Sequence, residues 1–160
     1  MLGNKRERPP DPGPGEWRLE VHDRPNGPIP YNVFLRSLDP YSQIVLGISV
    51  EEVLARQGHN VCNTSWGKAL RDGLYEFRVQ KSLNALCKEA CVPVPEGFQG
   101  DKGVLLRVFF TVEGARIVLL LSGYDKGKDP NEKHQNREIK VARKLLKEHR
   151  ANERKKAKHR

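Results

Sequence analysis

Two apolar runs of strand length, VLLRVFFTV and ARIVLLLSGY, flank the dipeptide Glu113-Gly114. Runs rich in β-branched and aromatic residues are typical of strands, and a two-residue connection with glycine predicts a hairpin between them. This hairpin constrains the fold more than any other segment, because its turn sets which residues face each other. The expected register pairs Phe110 with Ile117, Val108 with Leu119, and Arg107 with Leu120.

Side chains alternate along a strand, so the hairpin divides between two faces of a sheet. We expect helices to cover one face and the other face to be open. The covered face should hold Val104, Leu106, Val108, Phe110, Ile117, Leu119 and Leu121. The open face should hold Leu105, Arg107, Phe109, Val118, Leu120, Ser122 and Tyr124.

The segment before the hairpin contains two further strands and two helices. Residues 16–24 alternate apolar and polar side chains and predict a first strand. The segments YNVFLRSL and DPYSQIVLGISVEEVLARQG predict helices, the second with Asp39 as N-cap and Gly58 at its end. A second strand at about 74–80 places Tyr75, Phe77 and Val79 in the core, and Glu76 and Arg78 on the other face.

The C-terminal segment NEKHQNREIKVARKLLKEHRANERKK has a narrow apolar stripe among basic residues, which predicts an amphipathic helix. The fold class is therefore α+β, a small antiparallel sheet with two N-terminal helices packed on one face and a basic C-terminal helix. Residues 1–15, rich in Pro, Gly and charge, predict a disordered N-terminal arm. Residues 16–150 form a single domain with an insertion at 82–102, and residues 151–160 form a basic tail.

Cations are concentrated near the C-terminus of the chain, whose formal net charge is +9. Between Arg137 and Arg160 there are eleven Lys and Arg residues against three Asp and Glu residues. Such asymmetry indicates a polyanion or an acidic protein as partner. No apolar run approaches the roughly 20 residues of a membrane span, and the N-terminus lacks the apolar core of a signal peptide. We therefore expect a cytoplasmic protein without membrane association.

The chain has three cysteines, Cys62, Cys87 and Cys91, and an odd number without a signal peptide argues against a disulfide framework. Together with His59 they could supply four zinc ligands, although their spacing is not that of a standard zinc motif. The sequence favours reduced thiols and predicts neither a metal nor a cofactor.

Two arginines on the expected open face call for a partner or a role, because burial of a charge among apolar strand residues is costly. Arg78 and Arg107 would share this face with Tyr124. One interpretation is a phosphate-binding site, since the guanidinium fork suits phosphate oxygens. The alternative is that Arg78 simply pairs with Glu76 on a solvated face. His134 could act in chemistry, but a surface position on the C-terminal helix is the simpler interpretation, as it is for His149.

The segments LRDGLYEFR, LLRVFF and ARIVLLLSGYDKGKDPNEKHQNREIKVARKLLKEH, in this order, resemble the HigB-like, phage-derived branch of the RelE/ParE toxin superfamily. The upstream segment FLRSLDPYSQIVLGISVEEVLARQG is similar to the helices of that branch. The resemblance covers about residues 31–80 and 103–150 and rests on the order and spacing of these segments. The chain departs from the family in its long 82–102 segment, in Tyr124 where phenylalanine is frequent, and in Gly127 between two lysines.

The resemblance implies a toxin of a type II toxin–antitoxin module that cleaves messenger RNA on the ribosome without a metal. Its partners would be the ribosome, messenger RNA and a HigA-like antitoxin with a helix-turn-helix fold. The catalytic residues implied are Arg78 and Arg107 for the scissile phosphate, and Tyr124 and Lys126 for proton transfer. Tyr124 could instead stack on a base. The residues implied for flanking phosphates are Lys81, Lys128 and Arg137.

Other functions also fit the sequence. A ParE-like toxin that poisons gyrase would have a similar fold and need no nuclease site. A non-catalytic nucleic-acid-binding module would use the basic charge and the open sheet face. In a degenerate relative, the 82–102 segment would block the cleft.

Overall fold

The computed structural model describes residues 15–159 and has an α+β architecture. Its five strands form one sheet in the order β1-β5-β4-β3-β2. The strands are β1 (Arg18–Val21), β2 (Gly67–Ala69), β3 (Tyr75–Val79), β4 (Leu106–Glu113) and β5 (Ile117–Asp125). The helices are α1 (Pro30–Ser37), α2 (Pro40–Ser49), α3 (Ala55–Gln57), α4 (Leu83–Ala90) and α5 (Glu132–Lys158). A π-helical turn (Val50–Leu54) joins α2 to α3, and a 3₁₀ segment (Gly58–Asn63) follows α3. The expected arm at 1–15 lies outside the described residues except for Gly15.

The sheet is mixed, so the prediction of an antiparallel sheet is wrong at one edge. Strands β2 to β5 pair antiparallel, whereas β1 pairs parallel to β5, with Leu19 opposite Val118. A parallel neighbour needs a long crossover connection, and α1 to β4 together provide it. The short strand β2, which was not predicted from the sequence, forms the opposite edge.

Helices cover both faces of the sheet. As predicted, α1 and α2 lie on one face, where α4 joins them in a core that includes Phe77, Val79 and Phe110. The other face was expected to be open, and this expectation is wrong. The helix α5 packs there through Ala142, Leu145 and Leu146. The strand residues of this second core are Phe109, Leu119, Leu121 and Tyr124.

The expected hairpin register is wrong because the turn is longer than Glu113-Gly114. Gly114 and Arg116 have φ angles of 53° and 64°, and Glu113 pairs directly with Ile117. In β5, Val118 and Leu120 therefore face α1 and α2, while Leu119 and Leu121 face α5. The assignment of these four residues to faces was thus inverted.

A β-bulge in the hairpin then changes the parity of β5. Phe110 pairs with Leu120 and Phe109 pairs with Ser122, so Leu121 is an extra residue. Without this residue, Gly123 rather than Tyr124 would stand opposite Arg107. A bulge re-aims the side chains beyond it, and here it turns Tyr124 toward the face of Arg107.

The helix ends follow the predicted local signals. The Asp39 carboxylate accepts a hydrogen bond from the Ser42 amide at the start of α2. Gly58 ends α3 with a φ of 57°, and a side chain there would collide with the ring of Trp17. The final helix continues through 151–158 as regular α-helix. None of the helices in residues 15–159 is long and apolar enough to cross a membrane.

Candidate functional site

A carboxylate lies between the two strand arginines. Arg78 of β3 stands opposite Arg107 of β4, and Arg107 stands opposite Tyr124 of β5. The Nε of Arg78 donates a hydrogen bond of 2.9 Å to Oε1 of Glu76, and the Nε of Arg107 lies 3.8 Å from the same oxygen. Alternation along β3 places Glu76 beside Arg78 on this face. The shared face predicted for Arg78, Arg107 and Tyr124 is therefore confirmed.

The members of this cluster, which we call the arginine cluster (Glu76, Arg78, Arg107 and Tyr124), differ in exposure. The Glu76 side chain is 0% exposed, that of Arg107 is 5% exposed, and that of Arg78 is 30% exposed. Burial lowers the pKa of Arg107, and the negative charge of Glu76 opposes this effect. The pair of Arg78 with Glu76, expected as an alternative, is present, but Glu76 is buried rather than solvated.

Tyr124 stays protonated at neutral pH. Burial, and secondly the charge of Glu76, raise the pKa of Tyr124 to about 12. Its ring stacks on Phe109 at 6.0 Å between centroids and meets the edge of His134 at 5.1 Å. The hydroxyl can therefore donate a hydrogen bond but is poorly suited to accept a proton as a base.

Several polar atoms of the arginine cluster are buried without a hydrogen-bond partner in residues 15–159. Within residues 15–159, no protein group hydrogen-bonds to Oε2 of Glu76, Nε of Arg107 or the hydroxyl of Tyr124. Nη1 of Arg107 donates to the Leu106 carbonyl at 3.1 Å. Buried polar atoms are costly when unpaired, so a polar group that reached them would gain hydrogen bonds. Arg78, at the exposed edge, is the member that such a group meets first.

The loop after β5 carries two of the predicted lysines. Its backbone is fixed because the Gly127 amide donates to the Asp125 carboxylate at 2.9 Å and to the Leu105 carbonyl at 3.1 Å. Lys126 is half-buried and Lys128 is exposed. The loop leaves the sheet at the end where Leu106 pairs with Asp125, one residue beyond the pair of Arg107 and Tyr124.

A cleft of about 560 Å³ opens beside Tyr124, between α1, the end of β5 and the start of α5. Its walls include Phe34, Gly123 and the exposed side chains of Val33 and Val141. A side chain at Gly123 would collide with the Phe34 ring, so the glycine allows α1 to approach β5 closely. Lys128 and Arg24 line the cleft together with the carboxylates of Asp125, Asp129 and Glu138.

Neither of the two remaining predicted phosphate-binding residues forms a hydrogen bond or an ion pair with the arginine cluster in residues 15–159. Lys81 is 3.5 Å from the Glu89 carboxylate and lies over the ring of Trp66, which belongs to the core on the other sheet face. Arg137 is exposed on α5, where it contacts Nδ1 of His134 at 3.5 Å. The structure therefore brings together Arg78, Arg107 and Tyr124, with the loop lysines at the adjacent edge.

The two helix histidines are more covered than their surface interpretation implied. His134 meets Tyr124 and lies 3.3 Å from the Asp129 carboxylate. Nε2 of His149 is 2.7 Å from Oε2 of Glu113, so this pair ties α5 to the end of β4. The sequence offered one signal for the contact between His134 and Tyr124. Only a short loop separates Tyr124 from the amphipathic helix that carries His134.

Glu76 is the residue that the sequence analysis did not place in the site. It was considered only as a surface partner of Arg78, because the face was expected to be open. The signal that could have found it is the spacing Glu76-Phe77-Arg78, which puts both charges on one face of a strand opposite another arginine.

Among the cysteines, Cys87 is buried in the core and Cys91 is exposed. No three metal-ligating side chains lie together in the described part of the chain.

Comparisons with protein-family models, with curated proteins and with solved structures give no match for this chain.

Proposed function

We propose that this chain is a HigB-like toxin of the RelE/ParE superfamily, a ribosome-dependent endoribonuclease that inhibits translation and growth. It would act in the cytoplasm without metal or cofactor, and a HigA-like antitoxin would neutralise it. The observation that carries the proposal is the arginine cluster, in which two guanidinium groups and a protonated tyrosine converge on one sheet face. The order of the motifs along the chain supports the RelE-like assignment.

Arg78 would bind the scissile phosphate. The Glu76 carboxylate holds its Nε, and no group in residues 15–159 accepts a hydrogen bond from its Nη atoms. These two Nη atoms can therefore donate hydrogen bonds to two phosphate oxygens. The side chain is partly exposed, so a phosphate reaches it without rearrangement of the sheet.

Arg107, Tyr124 and Lys126 would act on the transition state. As the 2′-oxygen loses its proton to a water molecule and attacks phosphorus, negative charge builds on the phosphoryl oxygens, and a preorganised cation stabilises it. Arg107 supplies this charge from its buried position. Tyr124 donates a hydrogen bond, while Lys126 gives a proton to the departing 5′-oxygen. A 2′,3′-cyclic phosphate and a 5′-hydroxyl result.

Lys128, Lys81 and Arg137 would hold phosphates on either side of the scissile bond. Lys128 is best placed because it lines the cleft beside Tyr124. Lys81 would have to leave Glu89 to take part, since its ammonium lies 3.5 Å from that carboxylate.

The burial of Arg107 favours a second candidate, a non-catalytic nucleic-acid-binding protein. Only 5% of the Arg107 side chain is exposed, and its charge is partly compensated by Glu76. In that case, Glu76 and Arg107 would stabilise the sheet, and the basic surface would account for binding.

The test is induced expression in a bacterial host, with growth followed and new 5′ ends mapped on translated messages. The wild type would be compared with Arg78→Ala and with the double variant Arg78→Ala/Arg107→Ala. The matched control is Arg36→Ala/Arg56→Ala, which removes two surface arginines elsewhere. Circular dichroism of the purified variants would establish that each is folded.

Growth arrest with cuts inside translated frames, both lost in folded Arg78→Ala and kept in the control, is the expected result. Removal of a group that stabilises transition-state charge lowers a cleavage rate about 10²- to 10³-fold. Arrest without cuts would contradict the nuclease and point to a target such as gyrase. Wild-type cutting by Arg78→Ala would remove Arg78 from the site.

A further inference from the structure

After Glu132, one surface of α5 carries cations without carboxylates. Successive residues of an α-helix are rotated by about 100° around its axis. From Lys133 onward, a sector that covers one third of the circumference of α5 carries only basic side chains, with Asn136 and Ala151 as the exceptions. We call this surface the basic face. It consists of Lys133, Lys140, Arg143, Lys144, Lys147, Arg150, Arg154 and Lys158.

The acidic residues of α5 that follow Lys133 point elsewhere and have other partners. Glu148 pairs with Arg24 at 2.9 Å, Glu153 pairs with Lys156 at 3.3 Å, and Glu138 lies 3.8 Å from His134. Within residues 15–159, no side chain of the basic face lies within 4.0 Å of a carboxylate. The cations of this face are therefore not engaged in ion pairs within residues 15–159.

The middle of the basic face is held in place by the turn between β2 and β3. Arg143 donates hydrogen bonds to the carbonyls of Leu70 and Arg71, and Arg150 donates to the carbonyl of Asp72 at 2.7 Å. These contacts fix the two guanidinium groups before any ligand arrives, which reduces the entropy lost on binding.

A cavity of about 500 Å³ lies where the turn meets the helix. Four cations and one carboxylate stand around it, so the cavity attracts anions. Its walls are Asp72, Arg143, Leu146, Lys147, Arg150 and Arg154.

The chemistry of the basic face fits a phosphate backbone better than an acidic protein. Protein interfaces are anchored by buried aromatic and apolar side chains. Val141 is the exposed large apolar residue of α5 in the described chain, and it points away, into the cleft beside Tyr124. Nucleic-acid interfaces are polar and strongly basic, and arginine forks suit phosphate oxygens.

We infer that the basic face of α5 binds the phosphate backbone of RNA. The helix from Lys133 to Lys158 is about 39 Å long, which allows contacts with several successive phosphates. The middle of this surface is distinct from the arginine cluster, because the turn between β2 and β3, which holds Arg143 and Arg150, and Arg78 stand at opposite ends of β3, about 17 Å apart. The inference rests on binding alone and holds whether or not the chain cleaves RNA.

The test uses a fluorescein-labelled RNA duplex of 20 base pairs without ribosomes, and measures fluorescence anisotropy from 50 to 200 mM NaCl. The variant is Lys144→Gln/Lys147→Gln/Arg154→Gln, whose three side chains are exposed and do not hold the turn. The matched control, Lys68→Gln/Lys88→Gln/Lys102→Gln, removes three exposed cations from other surfaces.

The variant should bind the duplex about tenfold or more weakly at 150 mM NaCl, and the slope of log K against log salt should shrink by about 2 to 3. The control should bind like the wild type. Equal losses in variant and control, or no binding by the wild type at 50 mM NaCl, would overturn the inference. So would binding of labelled polyglutamate as tight as that of RNA, because the surface would then suit acidic proteins.

Discussion

The arginine cluster and the basic face of α5 are both cationic, but their surroundings are opposite. In the cluster, Arg107 is buried and shares the buried Glu76 carboxylate with Arg78. On the basic face, cations such as Lys144, Lys147 and Arg154 point into solvent, and the carboxylates of α5 that follow Lys133 lie on other sides. The first region is partly compensated and rigid, whereas the second is uncompensated and accessible.

This difference determines what each region can do. A charge inside the protein interacts strongly with its neighbours, because the local dielectric is low, and it depends on them for its stability. A charge in water is weakly coupled to any one neighbour but contributes to a long-range field that salt screens. The cluster therefore suits local stabilisation of charge, and the basic face suits capture of a polyanion.

The largest effect should follow from removal of the shared carboxylate. Glu76→Gln leaves Arg107 buried with its charge uncompensated, which should lower the free energy of unfolding by about 3–5 kcal/mol. Urea denaturation would measure it. Glu52→Gln, which breaks the surface pair with Arg56, is the control and should cost less than about 1 kcal/mol. Equal losses in the two variants would show that the cluster is no more dependent on its carboxylate than a surface pair.

The second largest effect should follow from loss of the planar guanidinium group of Arg78 while its positive charge is kept. Arg78→Lys keeps a cation at the edge of the cluster but loses the guanidinium fork on which the proposed two-pronged contact with phosphate depends. We expect the proposed cleavage of translated messages to fall about 10- to 100-fold, with little change in thermal stability. Arg36→Lys, on the exposed side of α1, serves as the control and should cut at the wild-type rate. Full activity of Arg78→Lys would mean that charge alone is used there.

Salt should separate the two regions. Between 50 and 500 mM NaCl, the stability difference between wild type and Glu76→Gln should stay constant within about 0.5 kcal/mol, because buried pairs are screened little. Over the same range, the RNA binding that we infer for the basic face should weaken by orders of magnitude. A stability difference that shrinks in parallel with binding would place Glu76 and Arg107 in effective contact with solvent.

The smallest effect is the alkaline behaviour of Tyr124. Its pKa is about 12 in the folded protein and about 10 in an unfolded chain. Between these values the folded state binds more protons, so the free energy of unfolding falls as pH rises from about 10 to 12. Tyr124→Phe should reduce this fall and, at pH 8, change stability by less than about 1 kcal/mol.

Tyr31 provides the comparison for that measurement. Burial raises its pKa to about 12 as well, and it lies in the core on the other sheet face. Tyr31→Phe should therefore reduce the alkaline loss similarly without affecting cleavage, whereas Tyr124→Phe should slow cleavage. Identical cleavage in both variants would remove the Tyr124 hydroxyl from the proposed reaction.

The arginine cluster could be predicted in part from the sequence. Period-two alternation in β3 was sufficient to place Arg78 on the sheet face that does not carry the core residues Phe77 and Val79. The alternation of β4 placed Arg107 on the same face. The burial of the cluster could not be predicted, because it depends on α5 crossing a sheet face that the hairpin pattern left open. Glu76 was missed as a site residue for the same reason.

By itself, the sequence determined the features that arise within a few residues of one another. These features are the N-cap of α2 at Asp39, the end of α3 at Gly58, the alternation of apolar and polar side chains in β3 and the cationic composition of α5. Only the tertiary structure decided the parallel pairing of β1, the bulge at Leu121 and the burial of Glu76. The physical reason is that capping and alternation are local, whereas register and burial depend on which distant surfaces meet. The bulge is the clearest case, since one extra residue in β5 is what sets Tyr124 opposite Arg107.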